Sequence, residues 1–194
     1  SPTLNIVTLN TDNTEVNFST VINDLNAVYN TMNVAWQQGA QFVLNIAFDD
    51  EDLKKINGND EDEKLTTINR ILVTLRSQPD YRPNQYYMFI VPGLATAGFA
   101  PPNLTDNCFF VKSSFYNDGN EVAPAHELGH CNGLDEFAVD IGAAVREKAI
   151  DAPMQYRSTN VMGYSRSSSR HLKDFFSWQI PVIRKRINEQ LNKK

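Results

Sequence analysis

The sequence predicts an α/β (α+β) domain in two lobes. An N-terminal mixed β-sheet carries two helices and ends in a site-bearing helix, and a smaller loop-rich C-terminal lobe closes on a final helix. Three observations predict it. Strand-like and helix-like segments alternate over the first 120 residues, the pattern of a sheet covered by helices. After Gly133 the chain turns loop-rich, with Gly142, Gly163 and the Ser165–Ser169 stretch. The chain has 194 residues and 41% hydrophobic content, which suits one domain with its own core. Residues 1–133 then form the upper lobe and 134–194 the lower one.

Leu4–Leu9 reads as a short strand. Phe18, Val21, Ile22, Leu25, Val28, Tyr29, Met32, Ala35 and Trp36 recur at three- and four-residue spacing, which predicts one long amphipathic helix closed by Gly39. Phe42–Phe48 is apolar enough for a buried strand. Residues 49–63 read as an acidic solvated connector, because their carboxylates do not fall at calcium-loop spacing. Leu65, Ile68, Ile71, Leu72 and Leu75 predict a second helix stopped by Pro79, Tyr86–Val91 and Cys108–Val111 two more strands, and Ser177–Leu191 a last helix.

Composition narrows the function. The net charge is 18 − 23 = −5 with no basic stripe, which speaks against nucleic acid as a partner. The uncharged run Tyr86–Asn103 is broken by Pro92, Gly93, Gly98, Pro101 and Pro102, so it is not read as a membrane span. Two cysteines, Cys108 and Cys131, are too few for a disulfide scaffold or a four-thiolate zinc site, and whether they pair stays open. The start at Ser1-Pro2, without an initiator Met, suggests a processed chain or a domain from a larger protein.

The chemistry concentrates in Ala125-His126-Glu127-Leu128-Gly129-His130-Cys131-Asn132-Gly133-Leu134-Asp135-Glu136. Positions i and i+4 of a helix share one face, so His126 and His130 can reach one metal ion, and Glu127 can address a water beside it. Two of the chain's three histidines fall in this pentapeptide, and Gly133 stands where a sharp turn would return the chain to the metal.

These residues resemble the metzincins, whose pattern is H-E-x-x-H-x-x-G-x-x-H/D followed by a methionine turn. Asn160-Val161-Met162-Gly163-Tyr164 is similar to that turn. The resemblance implies one catalytic Zn2+ held by His126, His130 and Glu136, with Asp135 the alternative third ligand. It also implies Glu127 as general base, Met162 as the floor beneath the metal, and Tyr164 as a group beside the oxyanion. Glu136 departs from the usual histidine or aspartate. Asp140 and Glu147 rank behind it, and His171 reads as a surface residue. The implied activity is endopeptidase hydrolysis of a protein or peptide lying extended in the cleft, in a secreted or extracytoplasmic setting.

The segments Tyr86–Pro92, Cys108–Val111, Ala125–His130 and Leu172–Ile180 also resemble metallopeptidase domains of bacterial polymorphic toxins. That likeness implies delivery within a larger protein and an inhibitor or immunity protein as partner. Two alternatives keep the same residues: a zinc amidase or peptidase acting on peptidoglycan, or a degraded, non-catalytic binding module.

Overall fold

The computed structural model describes residues 1–11, 16–102, 104–105, 107–135, 161–162 and 175–194. Five strands, β1 (Thr3–Leu9), β2 (Gln37–Leu44), β3 (Tyr86–Val91), β4 (Gly98–Phe99) and β5 (Cys108–Lys112), form one sheet in the order β2-β1-β3-β5-β4. All neighbours run parallel except β4, which is antiparallel to β5 at the edge. Among the described residues the helices are α1 (Phe18–Tyr29), α2 (Asp50–Asn57), α3 (Glu61–Arg76), α4 (Ala123–Cys131) and α5 (Gln179–Leu191).

Alternation along each strand sends side chains to two cores. Leu4, Ile6, Tyr86, Met88, Ile90, Phe109 and Val111 meet α1, α4 and α5 on one face. Val7, Tyr87, Phe89, Val91, Cys108 and Phe110 meet α3 on the other, joined by Ile56 of α2. All six residues of β3 are buried, as a central strand covered on both faces requires. The mixed sheet with covering helices is therefore observed, whereas most of the lower lobe lies outside the described residues.

Three expectations change. The long first helix ends at Tyr29, and a 3-10 turn over Asn30–Met32 leads to Asn33 in the left-handed region (φ 59°). The Asn26 side chain then accepts from Trp36 N at 2.7 Å and donates to Trp36 O at 3.1 Å, pinning the returning chain against α1. Trp36 is still a core residue, but from outside the helix. The second strand runs over Gln37–Leu44, not Phe42–Phe48, and is not a buried strand. Only Leu44 is buried, because an edge strand needs only backbone pairing with β1 and leaves its other side chains exposed or half-exposed.

The acidic connector is mostly helical. Asp49 and Asp52 form a capping box on α2, and Asp60 caps α3 through the N–H groups of Asp62 and Glu63. The carboxylates that read as a solvated loop thus fill two first helical turns, where the helix dipole favours them.

Asp52 gives this corner a pH dependence. Burial pushes its carboxyl up, but the Asp49 N–H and the Arg70 guanidinium, 2.9 Å away, outweigh that and hold it below the ordinary value of 3.8. A lowered folded value means stabilisation present above about pH 4 and lost as the pH falls through the folded value. Arg70 is half-exposed, so screening limits the effect to about 1 kcal/mol. Urea unfolding between pH 5 and 2 is expected to show a shallower acid loss in Asp52→Asn than in the native chain.

Candidate metal centre

The two histidines are placed by α4, and α4 is placed by buried hydroxyls. Leu128 is fully buried, so the opposite face of the helix carries His126 and His130, of which His130 lines a cleft. Tyr29 donates its hydroxyl to Ala125 O at 3.3 Å, and burial pushes that phenol well above its ordinary range, so it remains a donor. Tyr86 donates to Asn132 Oδ1 at 2.8 Å, while Asn132 Nδ2 donates to Leu128 O at 2.7 Å. Tyr86→Phe would deprive the Oδ1 of a fully buried Asn132 of this donor. A loss of about 1–3 kcal/mol in unfolding free energy is expected, measurable by urea titration.

Gly133 ends the helix. Its φ is +89°, its N–H donates to His130 O at 3.0 Å, and Leu134 N–H donates to Gly129 O at 3.0 Å. The turn brings the Leu134 carbonyl back to His130 Nδ1 at 2.8 Å. His126 Nδ1 meets the Val161 carbonyl at 2.8 Å. Carbonyls only accept, so each Nδ1 carries its ring's proton and a neutral ring presents a lone pair at Nε2.

Those two Nε2 atoms lie 3.1 Å apart, with ring planes at 81°. Two lone pairs at that separation repel unless a cation stands between them. Ligands 2.0–2.1 Å from a tetrahedral zinc ion are about 3.3 Å apart, so the pair fits two positions of a zinc shell. Both rings also have the backbone hydrogen bonds that fix a ligand histidine's tautomer.

Glu127, 5% exposed, lies beside them beneath β4. The cleft has a volume of about 450 Å³. One wall is the segment from Gly98 to Pro102 with Thr105, and the other is Glu127, His130, Cys131, Leu134 and Asp135. Beneath the helix, Met162 is fully buried and packs so closely on Gly129 that a Cβ there would overlap its sulfur.

Thus His126, Glu127, His130, Gly133 and Met162 come together. Asp135 is exposed on the cleft wall, and among the described residues no third His, Cys, Asp or Glu joins the two histidines in a metal-holding group. Glu136 and Tyr164 lie outside the described residues, as do Asp140, Glu147 and His171. Cys108 and Cys131 are buried thiols, with Cys131 Sγ 3.6 Å from the Cys108 carbonyl. Sequence reasoning missed the carbonyls of Leu134 and Val161, the Tyr86–Asn132 pair and Gly98. Only Gly98 left a signal, as one of the glycines and prolines that break the uncharged run Tyr86–Asn103.

No protein-family model matches the sequence, and no curated protein matches it. Solved structures do match. Archaemetzincin from Methanopyrus kandleri superposes with a TM-score of 0.54 at 14% identity, covering 96% of this chain and 96% of that one. A zinc-dependent peptidase from Methanocorpusculum labreanum superposes with a TM-score of 0.47 at 16% identity, covering 97% of this chain and 100% of that one. At such identity the likeness is one of fold alone: the chain has the fold of archaemetzincin.

Proposed function

We propose that the chain is a zinc-dependent endopeptidase of the metzincin type. The observation that carries this reading is the pair of Nε2 atoms 3.1 Å apart, each on a ring whose Nδ1 is held by a backbone carbonyl, beside a buried glutamate. His126 and His130 hold the metal with Glu136 as third ligand, Asp135 being the alternative, and Met162 is the floor.

Zinc in this position supplies Lewis acidity to the oxygens of a water and of the scissile carbonyl. The residues do the rest. Glu127 takes a proton from the water as its oxygen bonds to the carbonyl carbon. It then gives that proton to the amine nitrogen as the C–N bond breaks, so that its carboxylate is restored. Tyr164 donates to the oxygen that gains charge. The substrate lies extended along β4, whose outer edge faces no other strand among the described residues.

Elemental analysis under mild chelator challenge tests the ligand set. About one zinc per native chain, lost in Glu136→Ala and kept in Asp135→Ala, is expected. Loss in Asp135→Ala alone would move the third ligand by one position. Casein and peptidoglycan turnover, run side by side, decide the substrate. Hydrolysis of peptidoglycan alone would replace the endopeptidase reading.

A further inference from the structure

Gly98 occupies a strand, where glycine is less stable than alanine and needs a reason. The backbone offers none, because the described glycines with left-handed φ are Gly93, Gly119 and Gly133. Space offers one. A Cβ at Gly98 would lie 3.0 Å from Glu127 Cγ, 3.2 Å from Glu127 Oε1 and 2.9 Å from the Phe110 carbonyl. The strand passes directly over the carboxylate-bearing side chain with no room between them.

The position is also the one at which β4 presents its backbone outward. Lys112 N–H donates to Ala97 O at 2.9 Å, so Ala97 and Lys112 form a hydrogen-bonded pair and the next pair, Gly98 and Val111, does not. The N–H and C=O of Gly98 therefore point away from β5, with Thr96 Oγ1 donating to the carbonyl at 3.2 Å. Neighbours hold this stretch in place. Phe99 stacks on Phe110 with centroids 4.9 Å apart, Lys64 Nζ sits 5.2 Å over the Phe99 ring, and Arg76 donates to Leu104 O at 3.2 Å.

We infer that Gly98 is a positioning residue for Glu127: its missing side chain lets the edge strand press on the carboxylate from above and confine it beside the histidine pair. The inference rests on the peptidase reading for its catalytic meaning, but the confinement is a physical contact that is testable without turnover. A methyl group at residue 98 displaces Glu127 and leaves the two imidazoles and their carbonyl partners where they are.

The test is a double-mutant cycle of Gly98→Ala and Glu127→Ala, read as thermal unfolding midpoint and zinc content, with peptide kcat and KM for the single Gly98 variant. The clash with the Phe110 carbonyl is common to both backgrounds and cancels in the cycle. Gly98→Ala is expected to lower Tm in the native background and to cost less than about half as much beside Glu127→Ala. Zinc content is unchanged. A misplaced base predicts a kcat loss of about a hundredfold with little change in KM. If Gly98→Ala fails to fold alone but folds with Glu127→Ala, the coupling is shown in its strongest form. Equal Tm losses in both backgrounds would overturn the inference, as would unchanged kcat in an active enzyme. A native chain that cleaves no peptide overturns the peptidase reading instead, and the Tm cycle still decides whether Gly98 confines Glu127.

Discussion

Glu127→Gln is expected to keep about one zinc ion per chain and to lower peptide hydrolysis about a thousandfold, within the range that a positioned general base contributes. The substitution preserves shape and hydrogen-bonding reach under β4, at a residue only 5% exposed, and removes the ability to take a proton. Metal content is unaffected in the proposed role, because the histidines that bind are fixed by the Val161 and Leu134 carbonyls and not by Glu127. Elemental analysis and initial rates on the same preparation check it. His130→Ala is the contrasting case, expected to lose metal and turnover together. Native rates in Glu127→Gln would remove Glu127 from the mechanism, and zinc loss in it would make the residue a ligand.

Gly129→Ala is expected to destabilise the fold by about 1–3 kcal/mol, the cost of forcing an extra carbon into a packed core. Its sign is informative. In a helix interior alanine is favoured over glycine by about 1 kcal/mol, so without a neighbour the change would stabilise. Here the new Cβ overlaps the Met162 sulfur and comes within 3.2 Å of its Cε and 3.6 Å of Phe175 Cε1. Moving Met162 also moves Val161, whose carbonyl holds His126. Zinc affinity is therefore expected to fall about 10–100-fold, the usual cost of disturbing a ligand's hydrogen-bond partner. Thermal unfolding and chelator competition measure the two effects. A raised Tm would mean that Met162 does not press on α4.

Much of the fold was legible because it rests on local pattern. Tyr86–Val91 and Cys108–Val111 read as strands from unbroken apolar runs, and both are buried strands in the structure. The boundaries went wrong where tertiary contacts override pattern. Trp36 keeps the helical spacing of α1 yet leaves the helix, because the Asn26 side chain captures its backbone. Asp49–Glu63 looks like a polar loop unless each carboxylate is matched to the helix start it caps.

The sequence by itself determined that two histidines and a glutamate share one helical stretch, because the period of the α-helix is a local property and needs no partner. It also marked Tyr86–Val91 and Cys108–Val111 as buried strands, since burial on both faces leaves a continuous apolar run, but the same pattern misread the exposed edge strand at Phe42–Leu44. Only the tertiary structure decided that the Val161 and Leu134 carbonyls turn both Nε2 atoms towards one point, 35 and 4 residues from the rings they hold. It alone decided that Gly129 and Gly98 are sites of close approach, to Met162 below and Glu127 beside. Orientation and contact between segments distant in the chain follow from packing, and a one-dimensional pattern carries no record of packing.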